Sequence, residues 1–275
     1  MNGRYKRRFL TIIVPAYKEE KVIVMAIRRM MAVLDTIRYD YEILVVVDGI
    51  LDASLEKLKK ARLPNVRVFA YKKNQGKWYA IRLGMKYARG EYVMFVDGGM
   101  EIDPNGISML LEHMEWYEAD IIVGSKRHPA SQVHYTLLRK ILSYGYYYLV
   151  RILLGVSVTD TQAGIKILRH DVVEKILPRF LEKRFSGDLE MLVIARLLGY
   201  RRIYEAPIKL NFQLAGLSSA ASIRSIWHMF IDTLAIFYRA HVVSYYSRAY
   251  RTFREPKKLL IVNPPRRSSR KPVVA

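Results

Sequence analysis

Short apolar runs alternate with amphipathic stretches along the first half of the chain. Phe9–Val14, Glu42–Val47, Val66–Ala70, Tyr92–Val96 and Asp120–Val123 carry too few polar positions to have one wet face. That is the pattern of strands buried on both sides in a parallel sheet. Between them, Glu19–Asp35 places Val22, Ala26, Met30 and Leu34 on one helical stripe, and Leu51–Arg62 is amphipathic at the same period. A further helix runs from Lys77 to Ala88 and is closed by Arg89-Gly90, and another spans about Asn105–Tyr117. Strict strand–helix alternation predicts a doubly wound α/β sheet, Rossmann-like and mostly parallel, with helices on both faces.

Parallel strands end on one edge of such a sheet, where ligands bind. Here the strand ends read Pro15-Ala16-Tyr17-Lys18-Glu19-Glu20, Asp48-Gly49, Asn74-Gln75-Gly76-Lys77 and Asp97-Gly98-Gly99, the last followed by Glu101 and Asp103. Glu19, Asp48 and Asp97 therefore converge, and converging acids are costly unless something positive sits among them. A nucleotide base and ribose held near Tyr17, Glu19 and Asp48, with a metal-bound diphosphate at Asp97, accounts for the set. Neither a Walker A sequence nor a Gly-x-Gly-x-x-Gly turn after the first strand is present.

Charge adds a partner. The formal net charge is +21, with basic residues crowding both ends, from Arg4 to Arg8 and from Arg248 to Lys271. Nucleic acid and an anionic membrane surface both fit this excess, but no nucleic-acid recognition motif accompanies it. The chain has no cysteine, which excludes disulfides and thiolate chemistry. No signal peptide and no uninterrupted apolar span are read, so the expected place is the cytoplasmic face of a membrane, peripheral and monotopic. Two later segments suit that place. Residues 134–155 carry Leu138, Leu142, Gly145, Leu149 and Ile152 on one stripe and Lys140, Tyr144, Tyr147 and Arg151 on another. Trp227, Phe230, Ile231, Leu234, Phe237 and Tyr238 form a wide apolar face between Arg224 and Arg239. Such helices lie in the headgroup layer or form a homo-oligomer interface.

Taken in order, Val14 to Glu20, Val47-Asp48-Gly49 with Asp52, Asn74-x-Gly76-Lys77 with Arg82 and Gly84, Ala88 to Tyr92 and the Asp97 strand resemble glycosyltransferase family 2. Gly124 to Arg127, Asp160-Thr161-Gln162-x-Gly164-x-Lys166 and Asp188-x-Glu190 resemble its polyprenyl-phosphate (dolichyl-phosphate) glucosyl- and mannosyltransferase branch. The resemblance covers about residues 9–240. It implies a GT-A fold and metal-dependent, inverting transfer of a hexose from UDP-glucose or GDP-mannose to a polyprenyl or dolichyl phosphate, with Mg2+ or Mn2+ as cofactor. By position, Pro15, Tyr17, Glu19 and Asp48 would hold the nucleotide, Lys77 and Arg82 would lie near the phosphates, and Asp97 would bind the metal. Arg127, Gln162 and Lys166 are the candidates to grip the acceptor phosphate and the donor.

The expected organisation is a glycosyltransferase domain over 1–240, with a donor half at 9–124 and an acceptor half at 125–240, then a basic tail at 241–275. Three positions depart from the family pattern. Gly99 stands where the Asp-x-Asp motif has its second acid, Val47 where an acid often precedes Asp48, and Trp78 where a small residue usually follows Gly-Lys. Glu101 is the candidate to supply the missing carboxylate. A phosphate acceptor needs no strong base, whereas a sugar hydroxyl would need Asp188 or Glu190. The rival readings are therefore a glycan- or glycolipid-extending transferase of the same family, and a catalytically weak homologue that binds donor.

Overall fold

The computed structural model describes residues 9–99, 102–131, 137–183, 186–209, 223–248 and 252–262. An eight-stranded mixed sheet forms the centre, ordered β7-β5-β6-β4-β1-β2-β3-β8. Its strands are β1 (Phe9–Ala16), β2 (Asp40–Asp48), β3 (Val66–Tyr71), β4 (Tyr92–Val96), β5 (Ile121–Ser125), β6 (Ile165–Arg169), β7 (Ile203–Pro207) and β8 (Leu260–Val262). β1 pairs in parallel with both β2 and β4, and β2 with β3, while β6 runs antiparallel between β4 and β5.

Alternation along the central strands splits the core in two. Leu10, Ile12 and Val14 of β1 and Ile43, Val45 and Val47 of β2 face one apolar cluster. Ile13, Leu44 and Val46 face the other. Helices α1 (Ile23–Leu34), α2 (Ser54–Ala61) and α4 (Gly106–Trp116) cover the first face, and α3 (Lys77–Tyr87), α6 (His170–Ile176) and α7 (Gly187–Leu197) the second. The two remaining long helices are α5 (Leu137–Leu154) and α8 (Ile223–Phe237).

Strand order reverses at β1. The chain steps outward to β2 and β3 and then returns to lay β4 on the other side of β1. The crevice beyond the carboxyl ends of β1 and β4 is thus a topological switch point, the usual ligand position in an open α/β sheet. Entry into β4 is tight. A Cβ on Gly90 would lie 2.4 Å from the Thr11 nitrogen and 2.5 Å from the Tyr92 carbonyl oxygen. Both are backbone atoms and cannot step aside. Gly90→Ala is expected to cost about 3 kcal/mol, the top of the usual overpacking range, read as a fall in the denaturation midpoint.

Two expectations are corrected. The segment after Asp160 contains a strand, β6, so Lys166 lies inside the sheet. The charge at that position hid a run of Ile165, Ile167 and Leu168. The stretch from 252 to 262 also belongs to the folded body. Phe253 is buried, the Tyr79 hydroxyl donates to the Arg254 carbonyl at 3.0 Å, and Glu255 pairs with Lys86 at 2.6 Å. β8 then pairs antiparallel with β3.

Lys86 and Tyr87 hold the Glu255 carboxyl below its ordinary value. A depressed carboxylate stabilises the fold above its unfolded pKa and loses that contribution as pH falls through the folded value. Glu255→Ala is therefore expected to loosen this strap at neutral pH and to matter least at low pH. Faster proteolytic nicking after residue 251 is the readout.

Candidate active site at the switch point

β4 ends at Val96, and Asp97 follows at the edge of the crevice. Its backbone N–H donates to the Gly164 carbonyl at 2.9 Å, and its carboxylate lies against the Gly164 Cα, where any Cβ would sit 2.2 Å from Oδ2. Gly164 is therefore a glycine so that Asp97 can occupy this place. Lys77, the first residue of α3, puts its Nζ 2.7 Å from one oxygen of Asp97 and 3.0 Å from the other. Both side chains keep partial exposure, 21% for Lys77 and 39% for Asp97, so a ligand can reach the pair.

Asp48, at the end of β2, is 3% exposed and saturated with donors. One oxygen accepts from the Tyr71 hydroxyl at 2.8 Å and the Gln75 N–H at 2.7 Å. The other accepts from the Asn74 amide and the Gly76 N–H, both at 2.9 Å. The acid expected to touch the nucleotide directly thus fixes the 74–76 loop, whose Gly76 takes φ +103° just before Lys77. Beyond β1, Tyr17 is 47% exposed with the Lys18 ammonium 5.5 Å from its ring centroid. The Glu19 N–H donates to Ser54 Oγ, and its Oε1 lies 3.7 Å from where a Cβ on Gly99 would be. The Pro15 carbonyl lies 3.1 Å from the corresponding Cβ position on Gly98, so the turn after β4 closes against β1. Pro15, Glu19 and Lys77 thus gather around the turn from Asp97 to Gly99, with Tyr17 exposed beside Lys18 and Asp48 fixing the loop that precedes Lys77.

In the half expected to take the acceptor, the Lys126 N–H donates to Asp160 at 3.0 Å and ties the turn carrying Arg127 to the loop carrying Gln162. The Arg127 guanidinium lies over the Tyr144 ring at 5.6 Å. Gln162 buries its Nε2, with no hydrogen-bond acceptor among the described residues, two residues before the Gly164 that touches Asp97.

Four candidate residues are buried and held by other groups. Arg82, on α3, is buried between the rings of Phe180 and Phe253, and burial pushes its pKa down. Lys166 is fully buried and forms a short ion pair with Asp188, itself 2% exposed. Asp188 also accepts from the Trp78 indole N–H at 2.9 Å. Glu190, fully buried, accepts from the Leu181 and Glu182 N–H groups, the Tyr246 hydroxyl and Arg239. Burial pushes its pKa up. Neither candidate base faces the crevice.

Trp78 now has an explanation. Its ring stacks on Phe180 and meets Phe95 edge-on, and a Cβ on Gly187 would lie 2.3 Å from it. A large residue after Gly-Lys is balanced by a missing side chain on α7. Tyr71 and Gly164 are the supporting residues that single positions did not reveal.

The cation implied by the resemblance was expected on Asp97 and Glu101, and Glu101 lies outside the described residues. Among the described residues no group of three His, Cys, Asp or Glu side chains is placed to hold a metal ion. Asp97 faces an ammonium. With Glu101 not described and Asp97 facing the Lys77 ammonium, the described part of this donor set does not fit a carboxylate-ligated cation.

Comparison with known proteins agrees with the fold. The family model described as glycosyl transferase family 2 matches residues 11–177. A dolichyl-phosphate beta-glucosyltransferase of Drosophila melanogaster is 32% identical over 202 residues, covering 68% of this chain and 62% of that protein. This chain thus spans somewhat less than two thirds of that relative. One of Trichomonas vaginalis is 32% identical over 250 residues, covering 85% and 75%. Among solved structures, mannosyl-3-phosphoglycerate synthase from Rubrobacter xylanophilus superposes with a TM-score of 0.66 at 13% identity, covering 91% of this chain and 78% of that one. Glucosyl-3-phosphoglycerate synthase from Mycobacterium tuberculosis, crystallised with Mn2+, UDP and phosphoglyceric acid, gives 0.62 at 15%, covering 84% and 78%. At such identities the likeness speaks for the fold, which is GT-A. With more than half its length matched by that family model, the chain belongs to glycosyl transferase family 2.

Proposed function

We propose that this chain transfers a hexose, with inversion, from a nucleoside-diphosphate sugar to the phosphate of a polyprenyl or dolichyl lipid. The names of the similar curated proteins favour glucose as the sugar. One observation carries the choice of acceptor: Asp188 is buried against Lys166 and Trp78, and Glu190 is buried under four donors. A sugar hydroxyl acceptor needs a base within reach, and these two acids are committed elsewhere. A lipid phosphate is already anionic and needs none.

In the reaction, a phosphate oxygen gives an electron pair to the anomeric carbon from the face opposite the leaving group. The bond from that carbon to the β-phosphate oxygen breaks, and its electrons leave with the nucleoside diphosphate. Orientation and neutralisation of developing charge are the main demands. Pro15, Tyr17 and Glu19 position the nucleotide in this reading, and Lys77 with Asp97 meets the diphosphate. Arg127 and Gln162 hold the acceptor phosphate, Arg127 by the paired N–H geometry that suits phosphate oxygens.

The acceptor's tail calls for a membrane. No described helix is long and apolar enough to cross one. α5 and α8 instead pack together through Tyr146 and Thr233 and turn Tyr144, Tyr148, Ile152, Trp227 and Ile231 outward, with Tyr238 exposed just after α8. Exposed aromatic and aliphatic side chains on a chain of charge +21 suit the anionic headgroup layer of a cytoplasmic leaflet.

The test is a thermal-shift panel of uridine and guanosine diphosphates and their sugars, followed by product analysis with polyprenyl phosphate in anionic vesicles. A true donor at 100-fold over its Kd adds about 2.7 kcal/mol of stability, and sugar should appear on the lipid phosphate. Transfer to glycan hydroxyls with none to lipid phosphate would refute the acceptor assignment. Arg127→Ala is expected to reduce turnover about 100-fold while leaving the thermal midpoint of the free protein nearly unchanged.

A further inference from the structure

We propose that the Lys77 ammonium takes the place of the divalent cation, so that this chain binds and activates its donor without metal. The inference rests on reading the crevice as a nucleotide-sugar site. It starts from the ammonium that contacts both oxygens of Asp97, at 2.7 and 3.0 Å, in the position facing the strand-end carboxylate. An ammonium distributes three N–H donors and can bridge a carboxylate and phosphate oxygens at once.

Three further observations point the same way. Gly99 removes the acid that would make Asp97 one of a pair, and packing does not force the loss. A Cβ there would meet no atom closer than Glu19 Oε1 at 3.7 Å, and Gly99 is not among the residues with positive φ. The start of α3 offers little to a diphosphate through its backbone, because the Trp78 and Tyr79 N–H groups both donate to the Lys183 carbonyl, at 2.9 and 3.2 Å. Charge compensation at this helix terminus therefore falls to the Lys77 side chain. Lys77 is also held in place from behind, since Asp48 grips the Gln75 and Gly76 N–H groups that precede it. A fixed positive charge aimed at the leaving group costs no reorganisation during reaction.

The experiment measures donor affinity by calorimetry on the full chain, using UDP-glucose and GDP-mannose in EDTA and in millimolar Mn2+. The native protein should bind its donor equally well in both. Lys77→Met should lower turnover about 100-fold in either buffer, while Lys77→Arg retains a large part of it. Gly99→Asp should make binding respond to Mn2+. Donor binding lost in EDTA and restored by Mn2+ overturns the proposal, as does a Lys77→Met variant that binds and turns over normally. A Gly99→Asp variant indifferent to Mn2+ also counts against it, and so does a native chain inactive until that substitution is made. If neither donor nor any related nucleotide binds in either buffer, the functional reading itself falls, and this inference with it.

Discussion

Asp188→Ala is expected to destabilise the chain by about 3–5 kcal/mol, the range for removing one member of a buried ion pair. Lys166 is fully buried beside Phe95, and Asp188 is the carboxylate that compensates its charge. The variant also leaves the Trp78 indole N–H without its acceptor. The deficit should depend on pH in a definite direction. Burial pushes the Lys166 pKa down, and Asp188 is the first influence opposing that shift. In the variant, the unfolded chain binds a proton at Lys166 that the folded chain gives up. Stability relative to the native protein should therefore recover as pH rises toward the unfolded lysine value of about 10.4. Urea denaturation across neutral to mildly alkaline pH reads both effects. A loss under about 1 kcal/mol would mean that the pair is solvated and its burial misjudged.

The same pair separates the two acceptor chemistries, provided folding is held apart from catalysis. Asp188→Asn leaves a buried charge uncompensated and lowers activity through stability alone, so it does not discriminate. Lys166→Met with Asp188→Asn does, because both buried charges are removed together and the asparagine carbonyl can still accept from the Trp78 indole N–H. If the acceptor is a lipid phosphate, the double variant keeps its turnover. If Asp188 serves as a base for a hydroxyl, turnover falls even in a well-folded double variant.

What the sequence disclosed, and what it withheld, follows the distance between partners. The strand ends were legible because each is a local event, an apolar run halted by an acid or a glycine. Asp97, Glu19 and Tyr17 needed nothing further to be placed on one edge. Lys166 was read as a phosphate-gripping cation because the carboxylate that claims it lies 22 residues away on α7. Trp78 looked anomalous because the space it needs is made by Gly187, across the interior. Asp48 was expected to touch the nucleotide, but Tyr71 and the 74–76 loop that consume its oxygens come from the next unit. Helix phase was ambiguous in α5. Gly145 and Ile152 were grouped with the apolar stripe, yet both face outward, while Val150 and Leu154 enter the core. The helix is apolar on more than one side, so periodicity alone does not choose a face. β8 escaped notice because three residues on a sheet edge carry no period.

Gly164→Ala is expected to lower turnover on the order of 100-fold with little loss of stability, the signature of a displaced reacting group. The added methyl would sit 2.2 Å from Oδ2 and 2.7 Å from Cγ of Asp97. Those atoms end a side chain at the crevice edge, so they swing away and the fold survives. Gly164 is not among the residues with positive φ, so alanine brings no backbone penalty. The displaced carboxylate releases Lys77, and the ammonium then no longer has a fixed place from which to meet the donor diphosphate. Gly90→Ala is the useful contrast, because its Cβ meets backbone and the cost falls on stability. Parallel measurement of turnover and melting midpoint tells the two apart. Should Gly164→Ala turn over at the native rate while melting normally, the carboxylate at position 97 would have no part in the reaction, and the pairing of Lys77 with it would be only structural.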